Sequence, residues 1–143
     1  MASAAALVLS QMLGSAVKIL ERMCLDGNGY ACRAVEVAKK GVRVALVDSC
    51  LCEELPDGVY ARPGAIIGSD SGDFVIVINA PVLRSPTCFN HVLVHELLHA
   101  AGADEDEIDD DEISELTGCR SPADAMDCLG CIRTGSYTHL RSH

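Results

Sequence analysis

The sequence predicts an α+β domain, a small mixed β-sheet backed by helices. Three observations predict it: helical patterning comes first, runs rich in β-branched residues follow, and an apolar helical run carrying histidines comes after them. A length of 143 residues fits one domain, read as residues 1–143. Apolar residues make up 49% and aromatics 3%, with no Trp, so the core must be built from Leu, Ile, Val and Ala.

Residues 3 to 24 read as the first helix, with Leu7, Met12, Val17, Ile19 and Leu20 as its buried stripe. The stretch Ala2 to Val17 is broken by Ser10, Gln11, Gly14 and Ser15 and has no basic region ahead of it. It predicts neither a signal peptide nor a membrane span. Tyr30 to Lys40 reads as a second helix ended by Gly41. Gly41 to Asp48 is β-branched enough for a strand. Glu53 to Gly72, rich in Pro, Gly and Asp, reads mostly as loop around a short strand at Ala65–Ile67. Asp73 to Asn79 is the clearest strand. Pro81 and Pro86 then separate it from a helix over Asn90 to Ala101 that stops at Gly102. A last helix is expected over Asp109 to Thr117, ended by Gly118, with acids in its first turn to suit the helix dipole.

The formal charge of −10, without any basic stripe, argues against a nucleic-acid partner. Eight of the nine residues from Asp104 to Glu112 are acidic, so the charge describes one segment more than the whole surface. The eight cysteines (Cys24, Cys32, Cys50, Cys52, Cys88, Cys119, Cys128 and Cys131) read as disulfides or buried thiols. Cys128 and Cys131 have the spacing of a half zinc site, for which Cys50 and Cys52 are a poor complement. Cys88 reads as structural.

The chemistry lies in His95-Glu96-Leu97-Leu98-His99, an H-E-x-x-H pattern. Residues four apart on a helix share a face, so both imidazoles can reach one zinc ion at about 2 Å. Glu96 stands beside them as general base, and the metal would make a water nucleophilic near neutral pH. The flanking residues Val92, Leu93, Val94, Leu97, Leu98, Ala100 and Ala101 make the helix apolar nearly all round. Two His and a Glu inside such a helix are costly unless paired or bound to metal.

The stretch His91 to Gly102 resembles the active-site helix of zincin metallopeptidases. The resemblance covers a small part of the chain and implies Zn2+ as cofactor, a protein or peptide substrate, and a third metal ligand. In the metzincin pattern that ligand follows Gly102 three positions on, where this chain has Glu105. Met126 would then occupy the Met-turn position, against a plain packing role. In the gluzincin pattern the third ligand is a Glu from a following helix. There Ile108, Glu112, Glu115, Leu116 and Cys119 fall on one face, with Glu115 favoured because Asp109 and Glu112 also have capping-box spacing.

His91, one turn before His95, reads as a helix-end histidine exposed to solvent, or else as a substrate contact. Tyr137 and His139 in the tail are placed by the same reading as oxyanion stabilisers or as exposed tail. The expected activity is peptide-bond hydrolysis, with no nucleic acid or membrane as partner. Size and cysteine content fit a secreted or delivered effector module of a larger protein. Two other readings stay open. One is a zinc-dependent endoribonuclease, because His95 to Asp104 also resembles the H-x-x-x-H-x-x-G-x-D-H motif of a bacterial rRNA-maturation family. The other is a non-catalytic, zinc-stabilised binding domain.

Overall fold

The computed structural model describes residues 4–47, 64–68, 74–79, 84–120 and 141–142. Its helices are α1 (Ala4–Leu25), α2 (Gly29–Lys40), α3 (Pro86–Ala100) and α4 (Asp110–Thr117), and its strands are β1 (Arg43–Val47), β2 (Gly64–Gly68), β3 (Phe74–Asn79) and β4 (Arg141–Ser142). Strand order is β1-β3-β2-β4. β1 runs parallel to β3, β2 antiparallel to β3 and β4 parallel to β2.

The first two helices are joined by a tight reversal. Gly27 takes a left-handed φ of 102°. Its N–H bonds to the carbonyl of Cys24 at 3.0 Å and that of Asn28 to the carbonyl of Met23 at 3.0 Å, the paired bonds of a Schellman ending. Asn28 then caps α2, its side chain accepting from the Ala31 N–H at 3.1 Å. The Cys24–Cys32 disulfide spans this turn. Once the chain reverses, Ala16, Leu20 and Met23 of α1 are buried with Ala31, Ala34, Val35 and Ala38 of α2 in one core. Small residues on α2 suit a close approach of the two helices.

α3 is the centre of that core. Every residue from His91 to His99 is buried, together with Cys88 and Phe89. It packs on α1, α2 and α4, and also touches β2 and β3. Its start lies earlier than the sequence suggested. Ser85 is the N-cap, its Oγ accepting from the Cys88 N–H at 3.4 Å, and Pro86 occupies the first turn. A proline there loses no bond, because the first helical N–H groups have no intrahelical acceptor. Pro86 therefore opens the helix rather than preceding it.

The expected class, α+β with a small mixed sheet backed by helices, is corrected. The described residues are mostly helical: helices of 22, 12, 15 and 8 residues stand against strands of 5, 5, 6 and 2. The physical reason lies in α3. A helix apolar on all sides needs cover on all sides, and three other helices supply most of it. From the strands, Ile76 and Ile78 reach the core cluster.

The helix and strand positions otherwise fall within a few residues of those expected. Val17 and Ile19 are half-buried and Leu20 is buried, as an inward stripe requires. The side chains of Leu7 and Met12 lie outside the described residues. No helix among the described residues is long and apolar enough to cross a membrane.

Candidate metal centre

Three successive turns of α3 place His91, His95 and His99 in one row, because a four-residue step returns to nearly the same face. All three are buried, at 1%, 0% and 4% exposure, and Glu96 beside them is at 0%. The rings of His95 and His99 lie 5.0 Å apart with an interplanar angle of 64°.

What brings an acid to these rings is the end of the helix. Gly102 has a left-handed φ of 103°. Its N–H bonds to the His99 carbonyl at 2.9 Å and that of Ala103 to the Leu98 carbonyl at 3.1 Å, a second Schellman ending. The reversal sends the chain back along α3. It sets the Ala103 carbonyl oxygen 2.8 Å from His99 Nδ1 and brings Glu105, in the short 3-10 turn Glu105–Glu107, over the two rings.

Glu105 Oε1 lies 3.3 Å from His95 Nε2 and 3.4 Å from His99 Nε2. Zinc bonds of about 2.0–2.1 Å in a tetrahedral array put neighbouring donor atoms roughly 3.4 Å apart. Both separations match that edge and exceed the usual 2.7–3.2 Å of an N–H···O hydrogen bond. His95, His99 and Glu105 therefore form a donor group that can hold a metal ion. A pair of imidazoles and a carboxylate is also a donor set that zinc accepts.

The other ring nitrogens are held. His99 Nδ1 donates to the Ala103 carbonyl, and His95 Nδ1 lies 2.7 Å from Asp110 Oδ1. A proton on Nδ1 leaves the lone pair on Nε2, which is the atom each ring turns toward Glu105. The same Asp110 oxygen lies 3.1 Å from His91 Nε2. Burial pulls the His95 pKa down, but the hydrogen bond to Asp110, the polar contact with Glu105 and the charges of Glu96 and Asp110 outweigh it and raise it to about 9. Burial pushes Asp110 upward, yet its contacts with His91 and His95 hold it well below the ordinary carboxylate range.

The turn that carries Glu105 is braced from α2. Arg33 Nε donates to the Ala101 carbonyl at 3.3 Å, and the Tyr30 hydroxyl donates to Glu107 Oε2 at 2.5 Å. Glu107 Oε1 in turn accepts from the Asp104 N–H at 2.9 Å. On the far side, Asp109 caps α4 through the N–H groups of Asp111 and Glu112, and the Cys88–Cys119 disulfide ties the start of α3 to the end of α4.

Of the residues singled out from sequence, the fold brings together His95, His99 and Glu105, with Glu96 buried next to them in α3. Glu115, the favoured third donor, is exposed, and Glu112 is half-buried with its N–H on the Asp109 cap; neither belongs to a donor group among the described residues. The inward face of α4 runs through the buried Ile113, not through Glu112 and Glu115. His91 is corrected as well. It is buried instead of exposed, because α3 starts at Pro86 and puts it in the second turn. Tyr137, His139, Met126, Cys50, Cys52, Cys128 and Cys131 lie outside the described residues. The structural role expected of Cys88 holds.

Asp110 is the residue that sequence reasoning missed, being counted there only as a charge in the first turn of α4. A signal was present: Asp110 stands three residues before Ile113 and seven before Thr117, the spacing of one helix face. No family model, no curated protein and no solved structure matches this chain.

Proposed function

We propose that this chain is a zinc-dependent peptidase whose metal is held by His95 Nε2, His99 Nε2 and Glu105 Oε1. The observation that carries the reading is the pair of 3.3 and 3.4 Å separations from one carboxylate oxygen to two buried imidazoles four residues apart. When bound, zinc acidifies a water and polarises a carbonyl, which is the chemistry amide hydrolysis needs.

The chain's own residues do the rest. Glu96, one position after His95 and inside the apolar helix, accepts a proton from the attacking water on its carboxylate and delivers it to the leaving amine nitrogen. His95 and His99 present Nε2 because their Nδ1 atoms are engaged by Asp110 and by the Ala103 carbonyl. A dry helix around Glu96 strengthens each of these electrostatic contacts.

The test combines metal analysis with turnover on a quenched-fluorescence peptide library. Wild-type protein is expected to hold about one zinc per chain, the capacity of a single His-His-Glu site. Glu96→Gln should keep the metal and lose turnover. The reading is falsified if His99→Ala retains both.

A further inference from the structure

One oxygen of Asp110 lies between two buried imidazoles from successive turns of α3, 2.7 Å from His95 Nδ1 and 3.1 Å from His91 Nε2. His91, His95 and Asp110 also group as a possible set of metal donors. The distances decide against that use. Both lie within hydrogen-bond range, and 2.7 Å is well short of the roughly 3.4 Å edge of a tetrahedral zinc site. The contact is a charge-assisted hydrogen bond.

We propose that Asp110 is the positioning residue of His95. Its carboxylate accepts the Nδ1 proton, fixes the tautomer that leaves Nε2 for the metal, and sets the ring plane toward Glu105. His91 secures the same oxygen from the other side. Asp110 is thereby held between a buried ring one turn closer to the start of α3 and the ring that it orients. The α4 backbone supports this placement, since Ile113 on the same face is fully buried and the Asp109 cap fixes the first turn. A carboxylate in this place also raises the basicity of the ligand nitrogen through the ring.

This assignment rests on the metal site proposed above, and the experiment separates the two. Zinc affinity of the full chain is measured by competition with a chromophoric chelator for wild type, Asp110→Asn, Asp110→Ala and His99→Ala. Co2+ absorption spectra and the thermal midpoint of the metal-free proteins are recorded alongside. Asp110→Ala is expected to bind zinc about 10- to 100-fold more weakly, the usual cost of removing such a partner. Asp110→Asn keeps a nearly identical shape and an acceptor oxygen but loses the charge. It should fold as wild type does, bind zinc more weakly and shift the Co2+ bands, which mere packing support would not do. Wild-type affinity or an unshifted Co2+ spectrum in Asp110→Asn, while His99→Ala has lost zinc, overturns the role of Asp110. Failure of the wild-type chain to bind zinc overturns the metal site itself.

Discussion

Tyr30 and Glu107, 77 residues apart in the chain, meet through a 2.5 Å hydrogen bond between the phenolic hydroxyl and a carboxylate oxygen. The other Glu107 oxygen holds the Asp104 N–H, so Glu107 links Tyr30 of α2 to the turn bearing Glu105. The bond to Glu107 is also the main reason that the Tyr30 pKa lies above its ordinary value. Tyr30→Phe removes the link on an exposed surface. We expect an unchanged thermal midpoint for the metal-free protein and a zinc affinity reduced by less than about tenfold, milder than loss of a direct ligand partner. Equilibrium dialysis against zinc would check it, and wild-type affinity would show that the brace is dispensable.

Gly102 is a position at which a side chain is disfavoured for reasons of backbone alone. Space around it is open, but its φ of 103° is one that L residues rarely adopt. Gly102→Ala should destabilise the fold by about 1–2 kcal/mol. It should also weaken zinc binding, because the reversal is what returns Glu105 to the histidines. Urea unfolding and chelator competition on the same sample read both effects.

The metal-free protein should be most stable in mildly acidic solution. His95 is raised from 6.5 to about 9, so its contribution is fully present below pH 6.5 and is lost as pH rises through about 9. Asp110 acts in the opposite sense. Its folded value lies below the ordinary 3.8, so its contribution is present above that value and is lost as pH falls through the lower one. Thermal midpoints measured from about pH 3 to about pH 10 should therefore fall at both ends, the acid fall beginning below 3.8. Saturating zinc, which takes His95 without its Nε2 proton, should remove the alkaline fall. A flat profile in the metal-free chain would contradict the ion pair.

Legibility in the sequence followed the range of the interactions involved. The H-E-x-x-H spacing places His95, Glu96 and His99 through helix geometry, which is local, and these positions were readable. Gly102 was readable for the same reason. Glu105 was readable as one candidate from its spacing after Gly102, but the choice among Glu105, Glu112 and Glu115 was not, because periodicity in the acidic run has no phase until the fold shows which residue is buried. Ile113 fixes it, turning Asp110 inward and Glu115 outward. The fold class was misjudged on similar grounds. Two β-branched runs announce strands, but only three-dimensional packing shows that α1, α2 and α4 provide most of the cover for α3.

The two disulfides should differ in value. Cys24–Cys32 closes 8 residues and Cys88–Cys119 closes 31. Loop-closure entropy then predicts about 2.5 kcal/mol for the first and about 3.7 kcal/mol for the second. Paired serine substitutions compared by urea unfolding should reproduce that order. Equal losses would mean that strain or residual structure dominates.

The longer of these cross-links encircles every donor described above, from His91 to Asp110. A protease that nicked the exposed acidic turn at Glu105–Glu107 would separate Asp110 from the histidines in sequence but not in molecule. The severed pieces would migrate as one species until a thiol reagent was added. Damage at the rim of the centre is thus concealed from any separation by size that does not open the sulfur bond.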